Sequence, residues 1–213
     1  MHIADGYLSP QTVIVSFAVA TPLWIYAFKR LKSELNEETI PMIGALSALS
    51  FVIMMFNIPI PGGTSGHAVG ATLIAILINP WIAFISVSLV LLIQAVIFGD
   101  GGISALAVNS LSMGFVASFS GYYLFLLLKK YKFAPFIAGY LSLVAASFFV
   151  GLVLGIQPLF WSEDGRPLYF PFGLNISVPM MVGAHLLFGI AEGTFTQLIY
   201  MLMHKSEERV YEV

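Results

Sequence analysis

The sequence predicts an all-α, polytopic membrane bundle of about seven transmembrane helices, and three observations predict it. Hydrophobic residues make up 59% of the 213 positions and charged residues only 9%, against roughly 25% charge in soluble domains. Apolar runs recur along nearly the whole chain, several near the length of about 20 residues that a membrane span requires. The basic residues fall between the runs in an alternating pattern.

The elements follow in order. Ser9-Pro10 starts the first helix, with the hydroxyl placed to cap and proline at the first helical position, where its missing N–H is harmless. That helix runs to about Arg30. A second covers about Thr39 to Phe56 and ends in NIPIPGGTSG, whose prolines and glycines forbid regular helix. The third apolar run, His67 to Ile78, is short for a span, and Asn79-Pro80 separates it from a fourth, Trp81 to Phe98. GDGG makes the next turn. The fifth, sixth and seventh helices run from about Ser104 to Leu128, Pro135 to Gly155 and Val178 to Met203.

Residues 1–213 therefore form one integral-membrane domain with a leader at 1–8, a Gly/Pro segment at 57–66 and a tail at 204–213. The Gly/Pro segment reads as re-entrant and buried in protein, because lipid tolerates no unsatisfied backbone. Lys29, Arg30, Lys32, Lys129, Lys130, Lys132, Lys205 and Arg209 all follow odd-numbered helices, leaving only Arg166 for the other face. The positive-inside rule then places the amino terminus outside and the carboxyl terminus in the cytoplasm. The leader, the Gly/Pro segment, the GDGG turn and the loop Gln157 to Ile176 gather on the outer face. That loop holds Phe160, Trp161, Tyr169, Phe170 and Phe172, which read first as an interfacial belt and second as a lid.

Several functions are excluded. Without cysteine there are no disulfides, thiolate metal sites or cysteine nucleophiles, and no basic patch suits nucleic acid. The leader lacks the basic n-region of a signal peptide, so an intact Met1-His2 amino terminus is expected.

Two histidines share the outer face, His2 and His67. A free amine, the amide nitrogen of residue 2 and its imidazole Nδ1 can close a five- and a six-membered ring around one metal ion in a plane. An imidazole from His67 would complete a nitrogen square, a geometry that suits Ni(II) or Cu(II), with Co(II) possible, rather than Mg, Ca or Zn. If His67 lies in the first turn of the third helix, the helix dipole favours its neutral, ligating form. Asp5 and Asp100 are carboxylates that could accept a ligand's remaining N–H. The plainer readings are that His2 is solvated, that His67 bonds loop carbonyls and that the nine methionines are packing.

Within the spans, His185 and Glu192 stand seven apart on one helical face, marking either function or mutual pairing. Asn109, Ser110, Ser112 and Gln94 read as interhelical hydrogen-bonding groups. GTSG at Gly63 to Gly66 also fits the GxSG pattern of rhomboid intramembrane proteases, with Ser65 as nucleophile and His185 as base.

MHIADGYLSP, PGGTSGHAVG, FGDGGISAL and AHLLFGIAEG together resemble the substrate-binding component of cobalt/nickel energy-coupling-factor transporters, the CbiM/NikM family, across nearly the whole chain. The resemblance implies a seven-helix fold in which the amino terminus tucks into the bundle, and a metal site built from the Met1 amine, the His2 amide nitrogen and imidazole, and the His67 imidazole. It further implies Ni(II) or Co(II) as transported ligand and a non-enzymatic role in the inner cell membrane. The implied partners are a transmembrane scaffold component, a pair of cytoplasmic ATP-binding-cassette ATPases and a small accessory membrane protein. No GxxxxGK[ST] loop is present here, so ATP hydrolysis falls to partners. Ser112 in NSLSMG departs from the family pattern, which leads one to expect a second Asn there.

Overall fold

A computed structural model of the chain describes residues 1–60 and 64–210, with the side chains of 204–210 left undescribed. Pro61–Gly63 of the Gly/Pro segment, residues 211–213, and the basic side chains of Lys205 and Arg209 lie outside the described residues.

Helices α1 (Pro10–Glu34), α2 (Thr39–Met55), α3 (Ala71–Leu77), α4 (Pro80–Phe98), α5 (Leu106–Leu128), α6 (Ala134–Gly155) and α7 (Leu174–Val210) form the bundle. Among the described residues α1, α4, α5, α6 and α7 are long and apolar enough to cross a membrane, and α2 and α3 complete a seven-helix bundle. The 17 residues of α2 make a shorter apolar helix, and α3, with seven residues, reaches only about 10 Å at 1.5 Å per residue. The start signal read at Ser9-Pro10 is present, with Ser9 accepting from Thr12 N at 3.1 Å; Asn79-Pro80, which separates two apolar runs in the sequence, caps α4 in the same way, Asn79 accepting from Ile82 N at 2.9 Å.

What precedes α3 is extended chain. Strands β1 (Ile58–Ile60) and β2 (Thr64–Gly66) pair antiparallel, Ile58 opposite Gly66, and residues 67–70 run on without regular structure into α3. Residues Ala71 to Ala75 are buried, so this short helix is enclosed by protein, as irregular backbone at membrane depth requires. Its leading backbone groups are satisfied from afar: Glu192 of α7 accepts from Val69 N at 2.6 Å and Gly70 N at 3.0 Å, and Ser50 of α2 donates to Val69 O at 2.6 Å.

One face of α7 follows this segment residue by residue. Met181 accepts from Thr64 Oγ1 at 3.3 Å, the Phe188 ring lies against Gly66, and Glu192 caps Val69 and Gly70. The spacing 181, 188, 192 is helical, so a single stripe lines the strand and the bend. A Cβ on Gly66 would lie 2.0 Å from Phe188 Cε2, which is why glycine stands there.

Candidate metal centre

The leader is a docked element. Ile3 N donates to Asn109 Oδ1 at 3.0 Å, and Asn109 Nδ2 returns a bond to Ile3 O at 3.1 Å, so α5 clamps the backbone of one residue at two points. Gly102 N donates to the same carbonyl at 2.8 Å. Leader and turn approach so closely that a Cβ on Gly102 would lie 2.5 Å from Asp5 N. Asp5 is exposed and accepts from Ile103 N and from the backbone and hydroxyl of Ser104. It fastens the leader from outside rather than touching an imidazole, and those bonds hold its carboxyl below the usual range. Farther on, Ser9 N donates to Gln157 Oε1 at 3.0 Å, and Phe170 N donates to Tyr7 O at 3.3 Å. Phe170 is fully buried, edge-on to Tyr7. The loop between α6 and α7 thus covers the leader with one aromatic residue, while Phe160 stays exposed.

This docking buries Met1 completely and leaves His2 only 4% exposed. The Met1 amine lies 2.9 Å from His67 Nε2, contacts the carbonyl oxygen of Ser65, and stands 3.5 Å from the Ser65 hydroxyl. The rings of His2 and His67 stack with centroids 4.5 Å apart. His67 Nδ1 is 3.0 Å from Ala68 O; a carbonyl only accepts, so the proton sits on Nδ1 and the Nε2 lone pair faces the amine. His67 precedes α3 by four residues, so the expected helix-dipole effect is replaced by burial. Burial, with the nearby amino terminus and His2, drives its protonation well below the usual imidazole range. Burial likewise lowers the amine from 8.0 to about 4, against the pull of Asp100, and lowers His2 despite the same carboxylate.

Asp100 sits at the mouth of the site. Its Oδ1 is 3.1 Å from His2 Nδ1, and its Oδ2 accepts from Asn57 Nδ2 at 2.9 Å. Burial alone would raise its carboxyl, but His2, the amino terminus and Asn57 outweigh that and hold it below the usual range. The nitrogen it faces is the one the chelate needs, not the ring's other N–H.

Among the described residues no three His, Cys, Asp or Glu side chains converge as a metal site. What the fold brings together is two imidazoles and an amine with its adjoining amide. In a square of about 2 Å metal–nitrogen bonds, neighbouring donors stand roughly 2.8 Å apart. The amine and His67 Nε2 have that separation.

The remaining polar residues are placed apart. His185 Nδ1 bonds Met181 O at 2.7 Å, and Glu192 bonds the α3 entry, so the two do not pair. Among the described residues no hydrogen bond joins Ser65 to His185, so the arrangement does not favour the protease dyad. Ser112 bonds Asn109 O at 3.1 Å, within its own helix. The roles of Asn109, as leader clamp, and of Glu192, as cap, rest on partners more than 100 residues away and have no signal in the sequence.

Residues 2–210 match the sequence profile of CbiM, the cobalt uptake substrate-specific transmembrane region. The chain is 40% identical over 216 residues to the fused nickel transport protein NikMN of Rhodobacter capsulatus, covering 97% of this chain and 62% of that one. It is 30% identical over 209 residues to the cobalt transport protein CbiM of Geobacter sulfurreducens, covering 96% and 60%. The chain thus spans about three fifths of the length of these two relatives. It superposes on a crystal structure of a transition metal transporter with a TM-score of 0.93, at 45% identity, over 98% of this chain and 94% of that one.

Proposed function

The chain belongs to the CbiM family of cobalt-uptake substrate-specific transmembrane regions, a multi-pass membrane transport component rather than an enzyme, and from that premise we propose that it captures Ni(II) or Co(II) at the docked leader for import. The cation is cargo. Its donors are the Met1 amine, the His2 amide nitrogen and Nδ1, and His67 Nε2.

The observation that carries this reading is the 2.9 Å separation of the amine from His67 Nε2 inside a fully buried pocket. In the chain Met1 amine, His2 amide, His2 Nδ1, the fourth in-plane corner neighbours the amine, and that is where His67 stands. Burial keeps the amine and imidazole lone pairs free of protons at neutral pH, so little is spent on deprotonating them. The amide proton is displaced by the metal itself, which favours strongly polarising late 3d cations. Binding exchanges the His2 Nδ1 contact with Asp100 for a bond to the metal.

The positive-inside pattern supports an outward-facing site, because the lysine-bearing turns after α1 and α5 lie at the other end of the bundle. Passage inward then depends on the family's partners: a transmembrane scaffold of the energy-coupling-factor type, a pair of ATPases, and a small accessory membrane protein. Nickel titration of the purified chain tests the site. His2→Ala or His67→Ala should abolish stoichiometric binding while the helical signal persists. Inserting one alanine between Met1 and His2 should do the same, and an inserted variant that still gives a square-planar nickel spectrum would disprove the chelate.

A further inference from the structure

Gln94 has no part in the chelate, yet its surroundings are unusual. It opens the π-helical turn Gln94–Phe98 that ends α4, and Asp100 N closes back onto Gln94 O at 3.1 Å. Such turns insert a residue into the helical ladder and recur at functional sites. Here the inserted residue brings Gln94 and Asp100 to the same histidine.

Gln94 is fully buried. Its Nε2 reaches the Met55 sulfur at 4.0 Å, and among the described residues its Oε1 has no hydrogen-bond partner. His2 Nε2 is likewise buried without a partner among the described residues, and the Gln94 side chain interacts with the His2 ring. An unfilled acceptor and an unfilled ring nitrogen therefore stand together in the interior, where leaving either unpaired is costly. Asp100 cannot serve that nitrogen, since it faces Nδ1.

We propose that Gln94 is the positioning residue of His2, its Oε1 accepting the Nε2–H so that the imidazole keeps the tautomer and ring plane in which the Nδ1 lone pair closes the chelate. This rests on the metal-centre reading above. It gives the π turn a place in the site, since the turn joins Gln94 to Asp100, whose carboxylate faces the same ring. A donated N–H also makes the ligating nitrogen more basic, and partners of this kind are commonly worth 10–100-fold in metal affinity.

The test is nickel binding to the purified full chain, read by titration and by the d–d absorption of the complex, with unfolding temperature alongside. Gln94→Met keeps the shape but has no comparable acceptor; Gln94→Glu keeps an acceptor oxygen. We expect the Met variant to bind roughly 10–100-fold more weakly, with a shifted band and little change in unfolding temperature, and the Glu variant to recover most of the affinity. A Met variant with wild-type affinity and band overturns the proposal, as does a Glu variant that binds no better than Met. If the unaltered chain bound no nickel, the metal-centre reading itself would fall, an outcome distinct from either.

Discussion

Helix α1 and residues 64–78 lie in the same bundle and satisfy their backbones in opposite ways. In α1 the N–H groups are paired within the helix, its first turn is capped by its own Ser9, and side chains such as Ile14 and Val15 are exposed at 69% and 62%. Residues 64–78 are a strand, a bend and a seven-residue helix, largely buried and dependent on Glu192, Ser50 and Phe188 from other helices. A self-sufficient helix can face lipid but offers no free backbone. An irregular segment must borrow partners, and in doing so it presents Ser65 and His67 to the docked amine.

The sharpest way to break this contrast is Glu192→Ala, which strips the acceptor from two buried N–H groups. It should destabilise the fold by roughly 3 kcal/mol or more, seen as a large fall in unfolding temperature in detergent and loss of nickel binding. Next is Gly66→Ala. Its methyl group meets the Phe188 ring, so binding should weaken by about tenfold or more, and the double variant with Phe188→Ala should recover part of it, as expected for residues in contact. Asn109→Ala removes both bonds that hold Ile3; at roughly 1 kcal/mol each, nickel affinity should fall by about 10–30-fold, with unfolding temperature nearly unchanged.

A pH series sharpens the comparison at the leader itself. The folded amine, lowered to about 4, and the lowered histidines hold fewer protons than the same groups in a free peptide between pH 4 and 8. Proton competition is therefore weaker in the protein. Its nickel affinity should fall less between pH 8 and pH 6 than that of a peptide with the sequence MHIADG; equal slopes would show that docking does not protect the donors. Because the unfolded chain binds more protons in this window, stability should also decline as pH falls from 8. The smallest effect belongs to α1: Val15→Ala on its exposed face should change stability by no more than about 0.5 kcal/mol and leave nickel binding untouched. A larger change would mean that the exposed face of α1 is covered in the assembled protein.

Much of this was legible from residues alone. Ser9-Pro10 marks a helix start because capping is local chemistry, and Asn79-Pro80 marks a break between two apolar runs. The density of Pro and Gly in NIPIPGGTSG ruled out helix, again locally. His2 stood out because the distance from the amine to Nδ1 is set by covalent structure, and His67 because few other imidazoles were available. The third helix was misjudged in its start: His67, Ala68, Val69 and Gly70 are as apolar as a helical turn, but Gly70 adopts φ 77° and Glu192 holds its N–H outside the helix. Apolar content by itself does not distinguish a lipid-facing helix from a chain buried by its neighbours. Gln94, Asn109 and Glu192 looked alike as buried polar residues, and their distinct tasks depend on contacts across the bundle.

The sequence by itself determined the membrane setting, the order of the helices and the donors available at the amino terminus, because composition, capping and covalent reach act over a few residues. Only the tertiary structure decided that the leader turns inward, that His67 meets the amine at 2.9 Å, and that Asn109 and Glu192 hold the two irregular segments together. Those outcomes depend on satisfying backbone groups that no residue nearby in sequence can reach.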